Sequence, residues 1–360
     1  MKRSKFYNIF LSGVLLLLNT FTAFSQNNTD EPEPQKTSTG FMKSEVYLYK
    51  SKEAKSIVLT NRHGNIIIDT WDKDSVKIEY KINVGTFDKD LAKETLDQIS
   101  INKYFVGKKL YLKTRFEEDF QSSFSFSINY HLHVPPALMV DITSNFGNIY
   151  ITGLQKNIRV NAEYGKLFIK NDSTNTSKAD LHLSFIEGEI SKTDTVKVKL
   201  NNCTINLDHI TELSGRTSFS VLKADTVSKV DLNTNIDRLT LNYVSSVSIK
   251  GEKTFCKINH LRDKGHFEIN TGGLNVSVDN TLSSLTVAND KANTELQLPI
   301  GMPYLLHGEV KQGVLNHYAQ NELKVLRDVD TITFSGEFGT NTETNIILFN
   351  TMSNLTIKEY

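Results

Sequence analysis

An alternation of apolar and polar residues recurs along most of this chain and constrains its fold more than any other feature. Predicted strands begin about every eight to ten residues between positions 138 and 298. Each has apolar residues at alternate positions, so that one face is buried and the other is wet. Several strands begin with a glycine followed by apolar residues two and four positions later: Gly64–Ile68, Gly147–Ile151, Gly165–Ile169, Gly265–Ile269 and Gly272–Val276.

The spacing of these strands favours a coil over a two-sheet sandwich. Two strands recur in roughly 18–20 residues, and a coil of that size cannot cover its own apolar stripe. Stacked coils bury one another's inward side chains and satisfy their backbones through parallel ladders. We therefore predict an all-β chain in which residues 135–302 form a parallel β-solenoid, or β-helix. In it, Ile149 and Val198 point inward, and Tyr150 and Lys197 point outward.

The segments on either side are predicted to cover the two open ends of this coil, where unpaired strand edges need protection. Residues 41–134 are predicted to form an N-terminal strand layer that carries one short amphipathic helix at 88–100. Asp88 is the predicted N-cap of that helix, and its apolar face comprises Leu91, Ala92, Leu96 and Ile99. Residues 303–360, which are less regular, are predicted to form a C-terminal β cap.

The first 25 residues are typical of a secretory signal peptide. Basic residues lie near the start of the sequence, and an apolar stretch follows from Ile9 to Leu18. The small residues Ala23 and Ser25 then precede a predicted cleavage point before Gln26. An uncleaved membrane anchor is the alternative, but the stretch is shorter than the roughly 20 apolar residues that a span requires. We expect an exported protein, periplasmic, on the cell surface or secreted, with no membrane span after cleavage.

Residues 26–40 are predicted to be a disordered tether. Positions 27–40 contain no aliphatic or aromatic side chain to bury, and two prolines deny the backbone regular hydrogen bonds. Removal of the signal peptide takes away three basic residues and no acidic ones, so the exported chain is mildly acidic.

Composition excludes several classes of function. The chain has 41 Lys and Arg against 41 Asp and Glu, so no net basic field attracts nucleic acid. Two cysteines cannot build a disulfide scaffold or a multi-cysteine zinc domain. No Gly-x-Ser-x-Gly elbow, Walker loop or dinucleotide fingerprint occurs. We predict no catalytic residue, no cofactor and no cofactor-binding residue.

His131 and His133 lie two residues apart on a predicted strand. Both rings then point to the same face, about 6.5–7 Å apart, and could share a metal with a third ligand. No His-x-x-x-His motif supports zinc. The favoured interpretation is two polar residues that face solvent on a half-buried strand.

Asp69, Asp72 and Asp74 cluster around Trp71, and exported proteins often gather carboxylates around calcium. The cluster lacks the glycine and distal glutamate of a calcium-binding loop. Because Asp is also common in turns, a turn between strands is the favoured interpretation. We therefore predict no metal site in either segment.

Other candidate groups have structural explanations. Cys203 and Cys256 are 53 residues apart, which is about three coils or roughly 14 Å, so buried free thiols are favoured over a disulfide. Residues 117–127 are acidic and Ser-rich and are predicted to form a solvated loop. Several acids recur where turns are expected and could line a groove: Asp208, Asp225, Asp231, Asp237 and Asp263.

Several segments occur in a recognisable order: Asn61–Ile66, Asp74–Ile78, the helix at 88–100, Gly107–Leu112, Asn129–Pro135 and Asp141–Gly153. This order resembles the adhesin-like domain of unknown function found in bacterial envelope proteins, and Asp141–Gly153 looks like its most recurrent piece. The resemblance extends from about Glu45 to Ile357, and the signal peptide looks like those of the Bacteroidetes. The resemblance implies a right-handed parallel β-solenoid, exported, with no catalytic residues. Glycines thin out between 203 and 262, which departs from the more regular members.

These observations favour a non-enzymatic exported β-solenoid, an adhesin or cell-envelope binding protein that presents polar sheet faces to its partner. That partner is an unidentified envelope protein or polysaccharide. One alternative is a polysaccharide lyase or hydrolase, which would bring two carboxylates together within about 10 Å in a cleft. A second alternative is a self-assembling structural filament.

Overall fold

Parallel pairing between successive chain segments organises this protein. The computed structural model describes residues 34–171, 177–319, 322–340 and 342–360. Over these residues the chain is nearly all β, with a single α-helix and one large, mostly parallel sheet. The predicted signal peptide and residues 26–33 of the predicted tether lie outside the described residues. No helix within the described ranges is long and apolar enough to cross a membrane.

The strands and the helix have the following bounds. The N-terminal part contains β1 (Gln35–Thr37), β2 (Gly40–Lys50), β3 (Ser56–Arg62), β4 (Ile66–Thr70), β5 (Ser75–Val84), α1 (Lys89–Asp97), β6 (Ile99–Val106), β7 (Lys109–Phe116) and β8 (Phe126–Val134). The middle contains β9 (Met139–Asn145), β10 (Ile149–Thr152), β11 (Ile158–Lys170), β12 (Lys178–Asn201), β13 (Thr204–Ser218), β14 (Val221–Asn235), β15 (Arg238–Val278) and β16 (Ser284–Leu298). The C-terminal part contains β17 (Tyr304–Lys311), β18 (Leu315–Tyr318), β19 (Lys324–Arg327), β20 (Thr331–Phe338), β21 (Asn345–Thr351) and β22 (Leu355–Glu359).

In the middle of the chain, strand residues pair in parallel with residues that lie a nearly constant number of positions later in the sequence. We call the stretch of chain between two such partners a winding. Thr204 pairs with Val221, and Val221 pairs with Arg238, so the winding there is 17 residues long. The winding lengthens to 20 residues between Lys264 and Ser284. The predicted parallel pairing is confirmed, and its interval in β13–β15 is slightly shorter than expected.

Each winding contributes one run of strand to each of two rows. Row 1 includes residues 158–163, 179–184, 195–201, 212–218, 229–235, 246–252 and 264–270. Row 2 includes residues 165–170, 186–191, 204–208, 221–224 and 238–241. Because side chains alternate along a strand, each run buries one set of residues and exposes the other.

The core consists of inward side chains stacked in register from one winding to the next. Ile205, Leu222 and Leu239 are successive partners in row 2, and their exposed fractions are 0%, 0% and 1%. The predicted faces are confirmed: Ile149 and Val198 are buried, whereas Tyr150 and Lys197 are exposed.

The chain passes from row 1 to row 2 at a residue in the left-handed backbone conformation. These corner residues have φ between 49° and 65°, and they are His63, Phe146, Tyr164, Phe185, Asn202, Phe219, Ile236, Lys253, Thr271, Lys291, Gln312 and Met352. A residue other than glycine adopts this conformation at a cost of roughly 1–2 kcal/mol. Buried polar groups beside the corners hold the backbone in place. The Asp237 carboxylate, for example, accepts hydrogen bonds from the backbone N–H groups of Ser220 (2.6 Å) and Asn235 (2.8 Å).

Four of the five glycines of the recurrent motif directly follow a corner residue, where successive corners approach each other: Gly64, Gly147, Gly165 and Gly272. A Cβ atom on Gly147 would lie 1.9 Å from the carbonyl oxygen of Gly64, and one on Gly165 would lie 2.0 Å from the carbonyl oxygen of Gly147. Both distances are far below van der Waals contact. Close stacking of these windings therefore requires glycine at these positions.

Antiparallel strands lie outside the parallel stack at its N-terminal end. β3 and β4 already pair in parallel with β9 and β10, and β7 and β8 pair in parallel on their other side. β6 then pairs antiparallel with β7, and β5, β2 and β1 follow antiparallel beyond β8. Parallel pairing therefore extends into the predicted cap at 41–134. In addition, β1 lies inside the segment 26–40 that was expected to be disordered.

The predicted helix is present and slightly shorter than expected. It begins after Asp88, whose carboxylate accepts hydrogen bonds from the backbone N–H groups of Asp90 and Leu91, as the predicted N-cap should. Ala92 and Leu96 are buried, but Leu91 is 42% exposed and so lies outside the apolar face. Ile99 begins β6 instead of extending the helix.

The C-terminal strands join the stack out of chain order. β21 and β22 pair in parallel with β16, and β17 and β18 pair with the other side of β21 and β22. Residues 345–359 therefore lie between β16 and the segment 304–318 that precedes them in the sequence. β20 pairs antiparallel with β17, and β19 pairs with β20.

Candidate functional site

A depression of about 550 Å³ runs across several windings of row 1, and we call it the row-1 groove. Most of the residues that line it are of polar types, and they are Arg216, Thr217, Ser218, Asn233, Thr234, Asn235, Lys250, Gly251, Glu252, Glu268, Ile269, Asn270, Ala288 and Asp290. Arg216 is the register partner of Asn233, and Asn233 is that of Lys250. These three residues therefore form a column with one outward polar side chain per winding, at the spacing of about 4.8 Å between neighbouring strands.

Charges and amides in and beside the row-1 groove are paired both across windings and within one winding. Lys250 Nζ lies 2.9 Å from Glu268 Oε2, and His266 Nε2 lies 2.9 Å from Glu268 Oε1. The Asn270 amide donates a hydrogen bond of 2.8 Å to Glu252 Oε2. Hydrogen bonding to His266 and Lys250 lowers the pKa of Glu268, so this carboxylate is ionised at neutral pH. These side chains form an ordered, solvent-facing array of hydrogen-bond donors and acceptors.

Three carboxylates, from Glu252, Glu268 and Asp290, border the same groove, so the predicted enzymatic alternative has acids available there. A general acid of a glycosidase needs a raised pKa, usually from burial in an apolar environment. Glu268 has the opposite shift. Glu268 therefore lacks the raised pKa that a general acid needs.

The acids that recur at predicted turns do not converge on a common cleft. Asp237 is buried at a corner, and this burial raises its pKa. The other four, Asp208, Asp225, Asp231 and Asp263, are exposed or half-buried. Three of these form local contacts: Asp225 with the Asn242 amide (2.9 Å), Asp263 with the Ser283 hydroxyl (2.5 Å) and Asp208 with the His209 ring (2.5 Å).

The structure brings Asp69 together with His131 and His133. The parallel pairing of β4 with β8 places Asp69 directly opposite His133. Asp69 Oδ2 lies 2.8 Å from His131 Nε2, and the two imidazole ring centroids are 4.3 Å apart, closer than expected. One potential ligand atom from each of the three residues lies within 4.8 Å of the others. We call this group the Asp–His–His cluster.

The other two aspartates of the sequence cluster do not join this group. Asp72 is exposed, and the Asp74 carboxylate accepts a hydrogen bond from the Ser51 hydroxyl. The predicted calcium alternative, which required Asp69, Asp72 and Asp74 together, is therefore not assembled among the described residues. The histidine pair contributes His131 and His133 to the Asp–His–His cluster, and the aspartates near Trp71 contribute Asp69. The pairing of β4 with β8 brings these residues together.

Several charged and aromatic groups surround the Asp–His–His cluster. The Trp71 ring stacks on His133, with centroids 5.3 Å apart and planes 23° apart. In the antiparallel pairing of β5 with β8, Glu79 lies opposite His131 and Lys77 lies opposite His133. Glu79 is paired with Lys81 at 2.8 Å and with Lys77 at 3.7 Å. Burial, together with the charges of His131 and Lys77, lowers the pKa of His133, so its ring is neutral at pH 7.

A stack of aromatic rings lines the corner between the rows. His63, Phe146, Tyr164 and Phe185 are successive corner residues, and neighbouring ring centroids are 4.9–5.1 Å apart. Their planes differ by no more than 6°. Because each ring covers the face of the next, the stack presents ring edges to solvent. Within the stack, the ring faces of Phe146 and Tyr164 are each covered on both sides by neighbouring rings.

Both cysteines are free and buried, as predicted. Burial raises the pKa of Cys203 and raises that of Cys256 to about 12. A catalytic cysteine needs a lowered pKa, so neither thiol suits nucleophilic catalysis.

The acidic segment at 117–127 is less solvated than predicted. Phe120 and Phe124 are half-buried and pack against the core, and Phe126 already belongs to β8. The Phe120 ring lies 4.8 Å from that of Phe116 and 5.1 Å from that of Phe126. The feature of the sequence that indicates this packing is the presence of three phenylalanines, Phe120, Phe124 and Phe126, within the Ser-rich segment.

Comparisons with known proteins give distant structural likenesses. No family model and no curated protein matches the chain. A "putative adhesin" of Parabacteroides distasonis is 12% identical, with 89% of this chain and 98% of that chain covered and a TM-score of 0.39. A "putative adhesin" of Bacteroides fragilis is 11% identical, with 88% and 97% covered and a TM-score of 0.31. A "putative lipid binding protein" of Parabacteroides distasonis is 10% identical, with 88% and 96% covered and a TM-score of 0.33.

The adhesin-like proteins that the sequence resembles are thus among the solved structures similar to this chain. At these identities and scores, the likenesses assign no function to it.

Proposed function

We propose that this chain is an exported, non-enzymatic, right-handed β-solenoid that binds a cell-envelope polymer through its polar sheet faces. The observation that carries the proposal is the row-1 groove, in which Arg216, Asn233 and Lys250 form a register-aligned column. A polysaccharide or an extended peptide offers hydrogen-bonding groups at regular intervals. A column with one polar side chain per winding can contact such a polymer repeatedly.

Binding of this kind is spread over many weak contacts. Lys250 and Glu268 are 59% and 41% exposed, so neither group is desolvated in the free protein. A solvent-exposed ion pair contributes only about 0–1 kcal/mol to stability, so these side chains can exchange partners at little cost to the fold. Affinity then comes from the number of windings engaged.

Two features weigh against the alternatives. The lowered pKa of Glu268 opposes a role as the general acid of a polysaccharide hydrolase. Antiparallel strands lie outside the parallel stack at both ends, β1, β2 and β5 at one and β19 and β20 at the other. Such covers occupy the outer edges of β8 and β17, through which a filament would otherwise grow end to end.

The test uses the chain without its predicted signal peptide, residues 26–360. It is applied to a glycan array and, in parallel, to envelope extracts for pull-down. We expect saturable binding to one polymer. Combined replacement of Asn233 and Lys250 by Ala should weaken that binding about fivefold or more, the equivalent of about one hydrogen bond.

Lys223→Ala is the matched control, because Lys223 is an exposed lysine of row 2, outside the groove. It should leave binding unchanged. Equal loss in both variants would argue against the row-1 groove as the binding face. Turnover of the bound polysaccharide would overturn the non-enzymatic assignment.

A further inference from the structure

We propose that Asp69, His131 and His133 form a binding site for a divalent transition-metal ion of the zinc class. Among the described residues, this is the cluster in which at least three metal-ligating side chains converge, with ligand atoms within 4.8 Å of one another. Two imidazoles and a carboxylate are a ligand set preferred by borderline-soft ions such as Zn²⁺ over Ca²⁺ or Mg²⁺.

The strand register fixes the positions of all three ligands. Asp69 and His133 are direct partners in the parallel ladder of β4 and β8, and His131 lies two residues before His133 on the same face. In a tetrahedral site with ligands at about 2.0–2.1 Å from zinc, ligand atoms lie roughly 3.3 Å from one another. Asp69 Oδ2 and His131 Nε2 are hydrogen-bonded at 2.8 Å, so an ion replaces this hydrogen bond and any proton on Nε2 is released to solvent.

The Trp71 ring and several charged side chains surround the ligands. The Trp71 ring packs on the His133 ring and restricts its rotation. Glu79 lies opposite His131, and its carboxylate is paired with the ammonium groups of Lys81 (2.8 Å) and Lys77 (3.7 Å). Asp69 is therefore the carboxylate that offsets the charge of the ion. The cluster is half-buried, so solvent can supply the remaining ligand.

Such a site joins the parallel stack to the antiparallel strands beyond it. β4 belongs to the first winding, whereas β8 also pairs antiparallel with β5. An ion held by Asp69 and the two histidines cross-links β4 to β8 at this junction. With three protein ligands and one open position, it binds more weakly than a closed four-ligand structural site, and its fourth position stays exchangeable.

The experiment uses residues 26–360 without a polyhistidine tag, stripped of metal by a chelator. Zn²⁺ alone is titrated by calorimetry and by the fluorescence of Trp71, the single tryptophan of the chain. We expect one Zn²⁺ per chain, a change in Trp71 emission and a higher melting temperature with Zn²⁺. The substitutions His131→Gln, His133→Gln and Asp69→Asn should each weaken binding at least tenfold.

His260→Gln is the matched control, because His260 also pairs with a carboxylate, that of Asp279 at 3.0 Å, but belongs to no three-residue cluster among the described residues. This variant should bind Zn²⁺ like the wild type. Melting curves of the metal-free variants establish that each one folds. The proposal is overturned if the wild type binds no Zn²⁺, or if binding survives the three ligand substitutions. It is also overturned if the control weakens binding as much as they do.

Discussion

Truncation of Leu222 to alanine tests whether stacked inward side chains stabilise the fold. Leu222 is fully buried, with its register partners Ile205 and Leu239 in the neighbouring windings. Parallel ladders fix all three backbones, so the neighbours cannot move in to fill the space. Loss of a buried leucine side chain costs about 2–5 kcal/mol, and the higher values apply where the cavity cannot collapse. We therefore expect the free energy of unfolding to fall by about 3–5 kcal/mol.

Urea unfolding measures this loss. Far-UV circular dichroism follows all strands, whereas fluorescence follows Trp71, which lies next to β4, near the N-terminal end of the stack and several windings from Leu222. Coincident transitions from the two probes justify a single free energy of unfolding. Lys223→Ala is the control at the neighbouring, exposed position, and it should change stability by no more than about 0.5 kcal/mol.

A loss below about 1 kcal/mol for Leu222→Ala would refute this reasoning. Equal losses in Leu222→Ala and Lys223→Ala would also refute it, because the inward and outward faces would then be energetically equivalent. A large loss accompanied by separated transitions would instead show that neighbouring windings unfold independently.

Two further predictions concern buried titratable groups. Burial raises the pKa of Asp237, so the folded chain binds the proton of this carboxyl group more tightly than the unfolded chain does. The free energy of unfolding of the wild type should therefore fall as pH rises from about 3.8 through the raised pKa. The variant Asp237→Asn has no carboxyl group to titrate there and should lack this fall. Urea titrations across this pH range measure the difference, and identical pH profiles would contradict it. Neither Cys203 nor Cys256 should react with Ellman's reagent in the native chain, because both are buried with raised pKa values, whereas both should react in urea. Rapid labelling of native Cys256 would show that its winding opens.

Local alternation was sufficient to predict most of the fold. It identified the buried faces, including Ile149 beside exposed Tyr150, because a strand side chain has only two directions to point. It also identified α1 and its cap at Asp88, because both signals are local. Local pattern did not predict the position of residues 345–359 inside the stack. Their alternation fits any parallel neighbour equally well, so only long-range packing decides which strand they join.

The candidate sites depend even more on long-range pairing. The histidine pair and the aspartates near Trp71 were visible as separate patterns, but Asp69 and His131 are 62 residues apart in sequence. Their contact follows from the pairing of β4 with β8, which no local motif encodes. The large corner residues were also unexpected. Phe146 and Tyr164 occupy left-handed positions where glycine is the usual choice, and their rings stack on each other across windings.

The placement of β21 and β22 between β16 and β17 means that this end of the stack cannot assemble in chain order. Residues 304–318 come first in the sequence, yet they pair with residues 345–359, which in turn pair with β16. The last residues of the chain are therefore needed to join β17 and β18 to the rest of the stack, and a chain cut short after residue 318 would leave these two strands without their parallel partners.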